Sequence, residues 1–288
     1  MRNKSLRAVF AVLIAASLFG TSASARAIAD VQVDSIALAC IRLLIGSLGL
    51  LWLSRMFQQS SQVLTLFRNP MVWLMALGVA GYQYLFFVGT DLAGIALGTL
   101  VSLALAPFFA GLLAWRWKGI KPARVWYFST VTAVIGLTCV SLYALDVALP
   151  ITGLVASLVA SMAYATYTVI GSETSKSFSP IALLAVSFTI AALLLLPFSL
   201  TSFGFLASPR GALLSLWLGL VATAIAYAFF AYGLPRLQAG VIATLNLAEP
   251  LVATILGVVI IGEQLGALAV IGCVMIAVAL AQLALSHR

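Results

Sequence analysis

The chain has 288 residues, of which 64% are hydrophobic and only 8% are charged. Ordinary soluble domains contain about 45–50% apolar and about 25% charged residues, and a folded globule of this size needs a largely polar surface. The composition therefore excludes a soluble protein and predicts a chain that lies almost entirely in lipid. The formal net charge of +8 indicates membrane topology rather than nucleic-acid binding, because the cations lie between apolar segments.

Ten apolar stretches bounded by charged residues, Pro or Asn are each long enough for a spanning helix, which needs about 20 residues. They cover approximately 6–25, 35–53, 70–89, 93–115, 125–145, 151–171, 180–198, 212–232, 239–261 and 267–285. The sequence thus predicts an all-α integral membrane protein with ten transmembrane helices. The first stretch also fits a cleavable secretory signal, and its removal would leave an odd number of helices.

The Lys and Arg residues are concentrated on one side of the predicted membrane. If the N-terminus is inside, most of them fall in the inner connections, whereas the outer connections contain Arg26 and Arg210. Cytoplasmic loops carry the excess of positive charge in membrane proteins. We therefore expect a multi-pass protein of the bacterial inner (plasma) membrane with both termini in the cytoplasm.

The two halves of the sequence match each other at a shift of 143 residues. The matched features are the strings Tyr84–Phe87 and Tyr227–Phe230, the prolines Pro107 and Pro250, and the glycines Gly119 and Gly262. We expect a first five-helix repeat over 1–145 and a second over 146–288. Because five is odd, the second repeat enters the membrane from the opposite side. Inverted repeats of this kind build many secondary transporters, with the substrate site near the midplane between the halves.

The second half of the sequence contains three motifs that can be compared with known families. They are the strings Tyr227–Leu234 and Leu247–Leu251 and, after them, Gly262-Glu263. On these strings and on its two halves, the chain resembles the EamA family of the drug/metabolite transporter superfamily over essentially its whole length. Within the family it is most similar to bacterial amino-acid exporters of the YddG type. The resemblance implies a ten-helix carrier that exports a small metabolite.

The first half departs from the family pattern at the residue before its proline. Ala106 precedes Pro107, whereas Glu249 precedes Pro250 in the second half. Any role carried by that glutamate is therefore present only once in the chain.

Arg42 and Glu249 are the ionisable side chains well inside predicted spans. A charge at that depth costs at least about 2.5 kcal/mol, so each is a functional candidate. Counted from the ends of their helices at about 1.5 Å per residue, their depths differ by only several ångströms, which allows direct or water-bridged pairing. In the functional interpretation, Arg42 attracts a substrate carboxylate, while Glu249 binds an ammonium group or takes up a proton. In the structural alternative, each satisfies groups at a helix joint.

Pro107 and Pro250 lie in the middle of predicted spans, where proline removes a backbone hydrogen bond and kinks the helix. Backbone freed at membrane depth is tolerated only beside protein or a water-filled cavity. The pair is therefore a candidate gating element next to a central site, or a kink that only fits neighbouring helices together. Asn246 lies on the same helical face as Glu249 and binds either substrate or an adjacent helix.

Five tyrosines within the spans suit an amphipathic solute, because a phenol offers an apolar wall and a hydrogen-bonding group. They are Tyr82, Tyr84, Tyr164, Tyr167 and Tyr227. We predict substrate-binding roles for Tyr82, Tyr84, Tyr164 and Tyr227. The alternative is that they pack within the bundle or anchor it at the interface.

The sequence contains no Walker motif, no dinucleotide-binding fingerprint and no HExxH pair, and its cysteines and single histidine do not form a metal-ligand pattern. We therefore expect a non-enzymatic carrier without cofactor or metal. The predicted activity is export of amino acids, including aromatic and other neutral ones, by alternating access, and the predicted form is a monomer in contact with membrane lipid. Proton coupling and uncoupled movement fit equally well. Alternatives are carriers of cationic drugs or nucleotide sugars and, from other classes, a channel or an intramembrane enzyme.

Overall fold

The computed structural model describes residues 2–58, 60–119, 121–142, 151–262 and 264–286. Every regular element in these ranges is helical. The α-helices are α1 (Arg2–Ala29), α2 (Ser35–Met56), α3 (Val63–Phe67), α4 (Pro70–Ala93), α5 (Ile95–Ala104), α6 (Ala106–Lys118), α7 (Arg124–Leu142), α8 (Ile151–Thr174), α9 (Pro180–Leu195), α10 (Pro209–Leu216), α11 (Ala226–Gly233), α12 (Ala239–Leu245), α13 (Ala248–Leu256) and α14 (Ala267–Leu285). Short 3₁₀ turns cover Ser60–Gln62, Leu196–Phe198 and Phe203–Ala207, and π-helical segments cover Trp217–Ile225 and Gly257–Ile261.

Within the described chain, nine segments are long and apolar enough to cross a membrane, and each corresponds to a predicted span. The remaining predicted span, 125–145, corresponds to α7, which packs along α14. The last residues of that prediction, 143–145, lie outside the described residues. In its described ranges the protein is therefore all-α and multi-pass, with nine apolar spans and α7 as the tenth helical pass, in agreement with the sequence.

The contacts between passes follow the internal repeat. In chain order the passes are α1, α2, α4, α5 with α6, α7, α8, α9, α10 through α11, α12 through the π-helical segment Gly257–Ile261, and α14. If every pass is moved five places along the chain, the contact of α4 with α8 (third and sixth passes) becomes that of α11 with α1 (eighth and first passes). In the same way, the contact of α2 with the π-helical segment Trp217–Ile225 (second and eighth passes) becomes that of α9 with α4 (seventh and third passes). It also maps the pairs α2–α9, α6–α12 and α7–α14 onto themselves. This pairing is the one expected for two inverted five-helix repeats. The predicted boundary between residues 145 and 146 lies outside the described residues.

Both proline-bearing passes are interrupted in the middle. Leu105 separates α5 from α6, and two residues separate α12 from α13. Pro107 and Pro250 lie in the first turn of α6 and α13, where the missing N–H costs little because first-turn donors have no intrahelical partner. The segment that follows each proline ends at a glycine in the left-handed conformation, Gly119 with φ 67° and Gly262 with φ 80°.

The contact between α7 and α14 depends on two glycines that face each other. A Cβ atom added to Gly136 would lie 2.7 Å from the carbonyl oxygen of Gly272, and one added to Gly272 would lie 2.4 Å from the carbonyl oxygen of Gly136. Small residues let membrane helices approach closely, and packing rather than hydrophobic transfer holds such pairs together. This pair therefore sets the distance between the fifth and tenth passes.

Gly136→Ala should destabilise the protein by about 1–3 kcal/mol relative to Gly81→Ala. The added methyl group at position 136 meets backbone, whereas at position 81 its nearest neighbour is the Ala163 side chain at 3.7 Å. Both variants gain the same helix propensity, so the difference between them isolates the clash. Thermal unfolding of the two purified proteins in the same detergent measures it. Equal stabilities would contradict this account of the crossing.

Candidate functional site

Seven aromatic side chains from five helices meet near the middle of the bundle. This central aromatic cluster consists of Phe19 of α1, Tyr82 of α4, Tyr164 and Tyr167 of α8, Phe188 of α9, and Tyr227 and Phe230 of α11. The cluster joins helices from both repeats, so its shape depends on how the two halves are packed.

The tyrosines of the cluster contact one another mainly edge to face. The ring of Tyr164 lies 5.4 Å from that of Tyr82 and 5.0 Å from that of Tyr167. Tyr227 packs at right angles on Phe188, with 4.5 Å between ring centroids. Tyr167 and Tyr227 also interact with each other, and both belong to the same core cluster. Such edge-to-face geometry is favourable for aromatic pairs.

Arg42 and Glu249 face this cluster from α2 and from the first turn of α13. Their charges interact with each other and with the hydroxyl groups of Tyr82 and Tyr227. No ion pair within 4 Å joins Arg42 to Glu249 in the described chain. The side chains of Arg42, Tyr82 and Glu249 are each half-buried.

Two buried polar atoms of the site have no protein partner. Asn246 donates a hydrogen bond from Nδ2 to the Tyr164 hydroxyl group, but its Oδ1 is unpaired, as is Nε of Arg42. A buried polar atom that stays unpaired costs about 1–3 kcal/mol, and such atoms bind water or a ligand. The arrangement therefore offers one acceptor and one donor in addition to the two charges.

The first helix brings the break in the ninth pass next to the cluster. A Cβ atom on Gly20 would lie 2.7 Å from the backbone oxygen of Glu249, so α1 and α13 cross with their backbones in close contact. The preceding residue, Phe19, lies 4.8 Å from Tyr227 between ring centroids. A single turn of α1 thus positions both the carboxylate-bearing turn and the aromatic wall.

The structure brings together Arg42, Tyr82, Tyr164, Tyr227, Asn246, Glu249 and, through its place in the first turn of α13, Pro250. Tyr84 lies apart, because two residues along a helix turn the side chain by about 200°, and its ring packs on Phe198 at 5.4 Å. Pro107 is buried in α6, which packs on α8 and α12. No pattern in the sequence distinguishes Phe19 or Phe188 from other apolar residues.

A second group of polar residues lies on the side of the bundle on which α1 begins, which we call the N-terminal side. Glu173 at the end of α8 pairs with Lys118 of α6 at 3.3 Å and with Lys176 at 2.6 Å. A pocket of about 170 Å³ lies beside this group, and Arg236 and Gln238 also line it. The Lys118–Glu173 pair joins the two repeats.

Comparison with known proteins identifies the family. The model of the EamA-like transporter family matches residues 151–285. A Bacillus subtilis (strain 168) protein named uncharacterized transporter YwfM is 37% identical over 258 residues, which cover 88% of this chain and 86% of that protein. The chain belongs to the EamA-like transporter family. Membership makes this protein a membrane transporter and not an enzyme.

A solved crystal structure has the same fold as this EamA-family chain. It superimposes with a TM-score of 0.84 at 19% sequence identity, and the match covers 98% of both chains. The family model matches the second repeat, which is the half that carries Glu249 before Pro250.

Tyr164→Phe should lower the stability of this transporter by about 0.5–2 kcal/mol. The change leaves the buried Nδ2 of Asn246 without its acceptor, and hydrogen bonds between membrane helices are worth about 0.6–2 kcal/mol. Tyr84→Phe is the matched control, since it removes a phenol hydroxyl outside the cluster. Thermal unfolding in detergent compares them. A loss in the control as large as that in Tyr164→Phe would contradict a specific role for the Asn246–Tyr164 bond.

Proposed function

We propose that this transporter exports amino acids, including aromatic and other neutral ones, across the bacterial inner membrane by alternating access. The observation that carries the proposal is the placement of Arg42 and Glu249, two opposite charges that share one aromatic site without forming a direct ion pair. An amino acid carries the complementary pair of charges at a fixed separation. One solute can therefore neutralise both groups at once.

The neighbouring groups fit the rest of an amino acid. The guanidinium of Arg42 suits a carboxylate, which arginine binds through parallel hydrogen bonds, and its Nε has no protein partner. Glu249 and the unpaired Oδ1 of Asn246 can accept hydrogen bonds from the ammonium group. The rings of Tyr82 and Tyr227 offer an apolar wall to the side chain, which favours large or aromatic side chains.

The charges of the site fit the competing substrate classes less well. In a dedicated carrier of cationic drugs, the carboxylate that binds the drug would have no protein cation next to it. Here Arg42 interacts with Glu249. A nucleotide sugar brings several negative charges, and Arg42 is the cation well inside the predicted spans. Glu249 is the group through which protons would couple to export, and uncoupled movement is the alternative.

We further propose that the N-terminal side of the bundle is the cytoplasmic side. Arg55, Arg68, Lys118 and Arg236 belong to the connections or helix ends on that side, in accord with the excess of positive charge in cytoplasmic loops. Residues 1–145 and 146–288 would then form the two inverted repeats. Because one chain supplies both halves, a monomer is sufficient for transport.

Glu249→Gln and Arg42→Gln should each weaken amino-acid transport by about tenfold or more. A hydrogen bond to a charged group is worth about 1.5–3 kcal/mol, and each 1.4 kcal/mol is a factor of ten in affinity. The measurement is saturable uptake into liposomes of a labelled panel of amino acids, a cationic dye and a nucleotide sugar.

Tyr84→Phe is the control for this measurement, because the Tyr84 ring packs on Phe198 outside the cluster, and it should retain uptake. Transport of the dye or the nucleotide sugar without any amino acid would overturn the substrate assignment and leave the family assignment intact.

Alternating access requires the N-terminal side to open, which must separate Lys118 from Glu173. We expect a bifunctional thiol reagent to stop transport in the double variant Lys118→Cys with Glu173→Cys, prepared after Cys40, Cys139 and Cys273 are replaced by Ala. The pair joins the two repeats across 3.3 Å, so a short link holds this side closed. A cleavable reagent should restore transport when it is reduced.

Glu173→Cys with Lys176→Cys provides the control, because these residues are three positions apart in one repeat and their link leaves the halves free to move. Transport at the full rate with the Lys118→Cys and Glu173→Cys link verified by mass spectrometry would argue against opening at this side.

A further inference from the structure

A wide apolar groove opens on the flank of the bundle, on the side opposite the N-terminal side. It lies between the end of α1, the start of α10 and the end of the ninth pass, and its volume is about 620 Å³. Small-molecule sites have volumes of about 300–1,000 Å³. The wall includes Ile28, Leu213, Trp217 and Ile260, which are 61%, 66%, 45% and 51% exposed. Because these residues belong to spanning helices, lipid rather than water faces the groove.

Arg210 gives the groove a charged end. It lies in the first turn of α10 and lines the groove. Its side chain is exposed, and no acidic group within 4 Å pairs with it in the part of the chain that the structure describes. At the end of a spanning helix, such a cation lies at the depth of lipid headgroups. The groove therefore combines an apolar wall with an unpaired positive charge at its mouth.

One wall of the groove is fixed by a hydrogen bond between helices. The indole Nε1 of Trp217 donates to the hydroxyl group of Thr21 at 3.1 Å, which links the π-helical segment Trp217–Ile225 to α1. The indole thus has a set position in the wall and is a natural fluorescent reporter of what occupies the groove.

We propose that this groove binds an anionic phospholipid, with the headgroup phosphate on Arg210 and one acyl chain along the apolar wall. The apolar wall alone does not select a lipid, because the acyl chains of all the lipids are as apolar as the wall, and none gains more than another by contact with it. Selection comes from the charge of Arg210, which attracts anionic headgroups over neutral ones. A single cation near the membrane surface is worth about 1 kcal/mol, so the preference is about fivefold. The site is separate from the central aromatic cluster and does not depend on the transported solute.

Quenching of Trp217 fluorescence by lipids with brominated acyl chains tests the proposal. The intact protein and Trp217→Phe are placed in vesicles that contain brominated phosphatidylglycerol or brominated phosphatidylcholine, and the difference between them isolates Trp217 from the other tryptophans. We expect the groove to bind brominated phosphatidylglycerol about fivefold more strongly than brominated phosphatidylcholine, as reported by the quenching of Trp217.

Substitution of the cation distinguishes a built site from ordinary contact with lipid. Arg210→Gln should reduce the preference to about one, and Arg210→Lys should retain most of it, since the charge is the selecting feature. Arg55→Gln, which removes an exposed cation on the N-terminal side, is the matched control and should keep the fivefold preference.

Three outcomes would overturn the proposal. They are equal quenching by both lipids in the intact protein, a preference that survives in Arg210→Gln, and no quenching of Trp217 at all. The last outcome would mean that protein, such as a second copy of this chain, covers the groove.

Discussion

Every backbone N–H and C=O group of this chain within the bilayer must be bonded inside the protein, because lipid offers no partner. Most of the chain meets this constraint with continuous helices. The fourth and ninth passes do not, since α5 and α6 are separated at Leu105, and α12 and α13 are separated next to Asn246. Such breaks are tolerated only where other helices or an enclosed polar space surround them. The two breaks must therefore be covered by neighbouring helices, and this requirement accounts for the close helix contacts at the centre of the bundle.

The breaks are covered by close contacts between helices. A Cβ atom on Gly240 of α12 would lie 3.1 Å from Cα of Gly111 in α6, and the hydroxyl groups of Thr130 and Thr244 form a hydrogen bond of 2.8 Å. Gly20 brings α1 against the first turn of α13 on another side. The side chain that points from this turn is Glu249, a carboxylate at a helix N-terminus, where the helix dipole favours negative charge. The element that interrupts the ninth pass therefore also presents its charge to the central aromatic cluster.

Much of the architecture could be read from the sequence because the relevant signals are local or periodic. Apolar length fixed the passes, and the 143-residue register of Pro107 with Pro250 and of Gly119 with Gly262 anticipated the repeated helix breaks. The site was harder to predict. Tyr84 and Tyr227 are equivalent in the repeat, and yet only Tyr227 reaches the cluster, whereas Tyr84 packs on Phe198. A repeat relates backbone positions, but the surroundings of each side chain depend on partners that differ between the halves.

The sequence by itself determined the membrane class, the number of passes, the doubled build and the two charges inside the spans, because composition, hydrophobic length and charge cost are properties of single segments. The tertiary structure decided that Arg42 and Glu249 share one site without an ion pair, and that Asn246 bonds to Tyr164 across 82 positions of the chain. It also decided that Phe19 and Phe188 contribute to the wall around Tyr227. These facts depend on the rotation and crossing of helices far apart in sequence, which side-chain packing sets and no local pattern records.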